Sequence, residues 1–104
     1  MEDDVGNIIA WDGELSVAQA EEVHDRFRAA LADGRPIVVD CSAIEDADIS
    51  FIQLLIAART SARRRGVPFR LKQPVGESFL AVLRRCGFFL EAPLPQDDFW
   101  TGGA

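Results

Sequence analysis

Apolar residues recur along this chain at two periods, and the switches between them lay out its elements. Residues 5–11, Val-Gly-Asn-Ile-Ile-Ala-Trp, read as a first strand, with Gly13-Glu14-Leu15 as its exit. From Ser16 the period becomes helical. Ala20, Val23, Phe27, Ala30 and Leu31 make one stripe, while Glu21, Glu22, Asp25, Arg26 and Arg28 lie mostly outside it. Ser16 with Gln19 is a capping-box pair that predicts the helix start, and Asp33-Gly34 predicts its end, with Gly34 as the left-handed cap. Ile37-Val38-Val39, running to Asp40 and Cys41, is a β-branched segment of the kind buried on both faces, so 36–41 predicts a second strand.

Ser42 to Asp48 is acidic and rich in turn formers, which predicts a loop. A helix over 48–65 follows and is almost wholly apolar through Ala58. Phe51, Leu54, Leu55, Ala58 and Ala62 share its stripe, and Ile49, Ile52 and Ile56 flank it. The remaining strip carries Ser50, Gln53, Ala57, Thr60, Ser61 and Arg64. Gly66 closes this helix, and Val67-Pro68 leads into a third strand, Phe69 to Lys72, with Pro68 at its start or on an edge. A third helix fits 76–86, with Phe79, Val82, Leu83 and Cys86 inward, Leu80 widening that face and Gly87 ending it. Phe88-Phe89-Leu90 reads as a last short strand or a plug. From Pro93 onward the chain reads as a loose tail, in which Phe99 and Trp100 either pin it down or contact a partner. The order β-α-β-α-β-α implies an α/β fold: a single small domain with a mixed or largely parallel sheet and helices packed against it. The expected boundaries are 1–92 for the domain and 93–104 for the tail.

Size and charge narrow the function classes. A chain of 104 residues builds one core. It has no apolar stretch long enough to span a bilayer, and its acidic start, Met1-Glu2-Asp3-Asp4, lacks the apolar region of a secretory signal. A soluble cytoplasmic protein without membrane insertion is the expectation. Cys41 and Cys86 fall on different elements and read as two buried thiols, neither a disulfide framework nor a metal motif. Net charge is −6, but residues 1–48 hold thirteen Asp/Glu against three Lys/Arg, whereas 59–85 hold eight Lys/Arg against one Glu. Arg63-Arg64-Arg65 closes a helix, where cations complement the dipole, so nucleic acid is not an expected partner.

Enzyme signatures are wanting. The one histidine, His24, lies on a different helix from Ser50 and edges the core. No Gly-x-Ser-x-Gly turn, P-loop or Gly-x-Gly-x-x-Gly is present. Glu45, Asp46 and Asp48 form an acidic cluster, but a hard-cation site needs several converging oxygens. No catalysis, cofactor or metal is expected. The chemistry worth weighing is Asp48-Ile49-Ser50, at the carboxyl end of a strand and the start of a helix, where α/β sheets form binding surfaces. Asp48 is the natural N-cap, and Ser50 faces away from the core in the first turn. A phosphate on Ser50 would meet free N–H groups and the positive end of the dipole, beside Asp46 and Asp48. An ordinary helix start would use the same two residues, so both readings stand.

The order of these motifs resembles STAS domains, the anti-sigma factor antagonist family, over roughly residues 8–92. The residues that carry the likeness are Gly13-Glu14-Leu15-Ser16, Ile37 to Ser42, Asp48-Ile49-Ser50, and Phe79 through Gly87. In that family the central motif commonly reads Asp-Ser-Ser-Gly or Asp-Thr-Ser-Gly, and the residue two after Asp is phosphorylated. The resemblance therefore implies Ser50 as phosphoacceptor and Asp46, Asp48, Ile49, Ser50, Phe51 and Gln53 as the partner-binding surface. Ile49 stands where the family often has a hydroxyl residue, and Phe51 where it often has Gly. Phe51 either buries itself or fills the docking surface. The implied function is a non-enzymatic switch whose partner is an anti-sigma factor or serine kinase. The alternative is a constitutive adaptor in a chemosensory or lipid-transport assembly.

Overall fold

The computed structural model describes residues 7–87 and 99–101. Strand β1 (Asn7–Leu15) leads through a 3-10 turn (Val17–Gln19) into helix α1 (Ala20–Asp33). Strand β2 (Ile37–Ala47), helix α2 (Ile49–Arg65), strand β3 (Phe69–Leu71) and helix α3 (Glu77–Arg85) follow, and a second 3-10 turn spans Phe99–Thr101. The strands form a parallel sheet in the order β1-β2-β3, so this is the α/β domain that the alternation of elements predicts. Parallel neighbours need crossovers, which α1 and α2 supply, and these two helices pack against each other.

Two strands run further than their hydrophobic pattern suggests. The first continues through Gly13-Glu14-Leu15, and the second through the acidic stretch 42–47, which was expected to be a loop. The two extensions pair with each other: Asp12 with Ala43, Gly13 with Ile44, Glu14 with Asp46 and Leu15 with Ala47. Register shifts between Ala10 and Asp12 and between Gly13 and Glu14 break the period-2 alternation. Ile44 and Ala47 are buried three residues apart, with polar residues exposed between them, and that spacing resembles a turn. At the other end, residues 5 and 6 of the expected first strand lie outside the described residues. β3 ends at Leu71, although the Lys72 N–H still donates to the Val39 carbonyl at 2.8 Å.

β3 pairs only with Ile37–Val39, so among the described residues no strand lies beside the second half of β2 on that side. α3 lies along it. The N-terminal end of α3 meets β2 so closely that a Cβ on Gly76 would stand 3.0 Å from the Ser42 carbonyl oxygen, at a φ of +97° that L side chains rarely adopt. Gly34 and Gly66 end α1 and α2 as left-handed caps, as the sequence predicts.

Seven aromatic side chains form a closed circuit through the core. Trp11 meets Phe27 and Phe51, Phe51 meets Phe79, and Phe79 meets Trp100. Trp100 meets Phe99, Phe99 stacks on Phe69 and Phe69 returns to Phe27, with centroid distances of 5.0–6.5 Å throughout. Each such pair adds about 0.5–1.5 kcal/mol beyond the area it buries. Phe99 and Trp100 thus belong to the core, so of the two expectations for this pair the one that pins the chain down describes these positions. Two large rings at 99–100 supply enough apolar area to seat the chain despite its prolines. Phe88-Phe89-Leu90 and the rest of that tail, 93–98 and 102–104, lie outside the described residues.

Cys41 is enclosed in β2. Burial pushes its thiol well above the usual range, with the charge of Asp40 adding to the effect, so it behaves as a small apolar residue. Cys86, expected to be buried, is only half-buried because it caps the end of α3.

Candidate functional site

The carboxyl ends of β1 and β2 and the first turn of α2 meet at Asp48. Its backbone is extended (φ −110°, ψ −179°), and its N–H donates to the Leu15 carbonyl at 3.1 Å, continuing the β1–β2 pairing by one bond. Its carboxylate then serves two elements. Oδ1 accepts the Ser50 N–H at 3.0 Å, the N-cap bond expected from the sequence, and also the Ser50 hydroxyl. Oδ2 accepts the Val17 N–H at 3.1 Å, from the first residue of the 3-10 turn. These donors, the Ser50 hydroxyl foremost, hold the Asp48 carboxyl below the usual carboxylate range.

Beside it, Asp46 Oδ1 accepts from Arg85 Nη2 at 2.9 Å and from the Ala47 N–H at 2.9 Å, and the same Arg85 nitrogen donates to the Ala47 carbonyl at 2.7 Å. The Arg85 guanidinium is the main reason the Asp46 carboxyl is also held low. Arg85 thus fastens the last turn of α3 to the end of β2. Both partners are well exposed, so the ion pair adds little stability and acts chiefly by fixing position. Glu14, Leu15, Ser16, Asp46, Ala47, Asp48 and Arg85 line a shallow open cleft between these ends. Among the described residues no group of three His, Cys, Asp or Glu side chains is arranged to hold a metal ion.

The expected site residues divide by exposure. Asp46 and Gln53 are exposed, Asp48 and Ser50 are half-buried, and Ile49 is 42% exposed. Phe51 is 1% exposed and packs edge-to-face on both Trp11 and Phe79. Its side chain therefore does not reach the surface, so of the two expected placements Phe51 takes the buried one. The helix start turns position 51 inward, three residues before Leu54 and four before Leu55. His24 lies away from this cluster, beside a groove between α1 and α2 lined by Phe27, Leu31 and Leu54.

Two residues of the site are absent from the sequence reading. Val17 is 71% exposed, the most exposed large apolar side chain among the described residues. It sits three before Ala20, in phase with the buried stripe of α1, so periodicity assigns it inward. The 3-10 turn breaks that phase. Arg85 lies in the last turn of α3, where a cation has a sufficient local explanation, and its partner is 39 residues away in sequence.

A family model described as "Mlab, STAS domain" matches residues 2–88. Among solved structures, one titled "Structure of the Anti-Sigma Factor Antagonist SpoIIAA in its Unphosphorylated Form" superposes with a TM-score of 0.62. It is 16% identical and the match covers 89% of this chain and 86% of that one. No curated protein matches the chain by sequence.

Proposed function

The chain belongs to the STAS domain family, and we propose that it is an anti-sigma factor antagonist-like interaction domain switched by phosphorylation of Ser50. The observation that carries this reading is the surface around that serine. Val17 and Ile49, 71% and 42% exposed, flank the Asp48–Ser50 pair on the two elements that Asp48 joins. Exposed apolar side chains rimmed by Glu14, Asp46 and Gln53 suit a protein partner that buries the former and hydrogen-bonds the latter. The partner is a serine kinase or anti-sigma factor type of protein.

In the modifying step the γ-phosphoryl group of a nucleoside triphosphate bound to that kinase passes to Ser50 Oγ. The P–O bond to the nucleoside diphosphate breaks, and the hydroxyl proton leaves to a base of the kinase. Asp48 is a poor proton acceptor because its own donors favour the ionised form. The product places close to two negative charges against Asp48 and Asp46, inside an interface that would have to desolvate them. Release of the partner follows.

Affinity capture from host lysate with wild-type, Ser50→Ala and Ser50→Asp baits tests this. An ATP-binding kinase retained by wild type and Ser50→Ala, and lost by Ser50→Asp, is the expected result. Equal retention by all three refutes the switch. One observation favours a second reading, a constitutive adaptor subunit of a chemosensory or transport assembly: the Ser50 hydroxyl is half-buried and already engaged by Asp48, as a helix-start serine would be. In that case every bait retains the same assembly proteins.

A further inference from the structure

We propose that Asp48 couples the state of residue 50 to the turn that carries Val17, so that a change at Ser50 is felt across the whole docking surface. The proposal rests on the docking reading above and concerns how that surface is regulated. One carboxylate holds both sides: Oδ1 takes the two donors of Ser50, and Oδ2 takes the Val17 N–H, 31 residues earlier in sequence. The turn's other hydrogen bonds among the described residues stay within it or run on into α1: the Ala18 N–H donates to Ser16 Oγ at 3.3 Å and the Ala20 N–H to the Val17 carbonyl. The Ser16 N–H donates to Gln19 Oε1 at 2.8 Å and the Gln19 N–H to the Ser16 carbonyl at 3.0 Å. The Asp48 carboxylate is thus the side chain whose hydrogen bonds join the turn directly to the first turn of α2.

The coupling follows from proton count and charge. A serine hydroxyl donates a hydrogen bond to Oδ1 and keeps the ionised carboxylate seated between its two sets of donors. An anionic side chain at position 50 has no hydrogen bond to donate, so only the backbone N–H still faces Oδ1, and the added charge repels the carboxylate. When Asp48 rotates away, Oδ2 leaves the Val17 N–H, and Val17 no longer stands at a fixed spacing from Ile49.

Amide hydrogen exchange at Val17, measured by NMR on the isolated protein, tests this without any partner. The variants are Ser50→Asp and Asp48→Asn. The second keeps one oxygen to cap the Ser50 N–H but replaces the other with an NH₂ group, which cannot accept from Val17. Val17 should exchange about tenfold faster, or more, in both variants, the ratio expected on losing one charge-assisted hydrogen bond. Leu55 and Ala58, in the middle of α2, should keep wild-type rates. Unchanged exchange at Val17 in either variant overturns the coupling, as does acceleration that Leu55 and Ala58 share. Faster exchange at Val17 together with undiminished capture by Ser50→Asp leaves the coupling in place and removes only the partner switch.

Discussion

The two ends of α2 carry opposite charge for one physical reason, yet they are built differently. At the N-terminal end Asp48 complements the positive pole of the dipole, and at the C-terminal end Arg63, Arg64 and Arg65 complement the negative pole. Gly66 closes the C-terminal end with backbone bonds alone: its N–H donates to the Arg63 carbonyl at 3.2 Å, and the Val67 N–H donates to that of Ala62 at 2.9 Å. The N-terminal cap reaches outside its own helix, to Val17, and exposed apolar side chains stand on both sides of it. Charge at a helix end is therefore weak evidence of function. A cap shared between elements, beside apolar groups that water is left to cover, is much stronger.

The largest effect should come from the residue that fixes the N-terminal end of α2 to the core. Phe51→Ala removes a fully buried ring in contact with Trp11 and Phe79, and should cost about 3–5 kcal/mol in urea-monitored unfolding. A cost below about 1 kcal/mol would mean that the ring is not the anchor of the first turn. The same position shows where this chain departs from the usual family motif. Where that motif often has glycine, Phe51 turns inward, and Ile49 stays outside.

That residue also marks the limit of what periodicity can reveal. The stripe of α2 is legible because Leu55, Ala58 and Ala62 recur at helical spacing, and Asp48 as N-cap is legible because capping is local in sequence. Phe51 was ambiguous at that level, since a bulky residue in a first turn can face either way until the position of Trp11 is known. The second half of β2 escapes local pattern for a related reason. Its bulges space Ile44 and Ala47 three apart, and only the partner strand shows that the polar residues between them are still in a sheet. The Arg85–Asp46 and Asp48–Val17 contacts join residues 39 and 31 apart, and no local pattern encodes either.

Acid should separate the two ends next. Asp33, Asp40, Asp46 and Asp48 all have carboxyls held below the usual range by hydrogen bonds or cations. Folding favours their ionised forms, so the stability they contribute is complete above the unfolded carboxylate value of about 3.9 and is lost as pH falls through the lower folded values. Denaturant midpoints should therefore be flat from neutral pH to about pH 5 and fall below about pH 4. Asp48→Asn should make that fall shallower, because one of the four groups no longer titrates. An acid profile unchanged by Asp48→Asn would mean that its carboxylate is no better bound folded than unfolded.

The smallest effect is expected at the other end. Changing Arg63, Arg64 and Arg65 together to Ala removes three exposed cations from the last turn, each contributing to the dipole by about 0.3–1 kcal/mol at low salt and less when screened. Alanine's better helix propensity offsets part of that loss, so the triple variant should unfold within about 2 kcal/mol of wild type at low salt, and closer still at high ionic strength. It should also capture the same partners as wild type, since these arginines lie at the opposite end of α2 from Val17 and Ile49. Loss of a partner by this variant, on the scale expected for Ser50→Asp, would extend the docking surface along the whole helix. The contrast between a shared cap and a private one would then no longer locate the function.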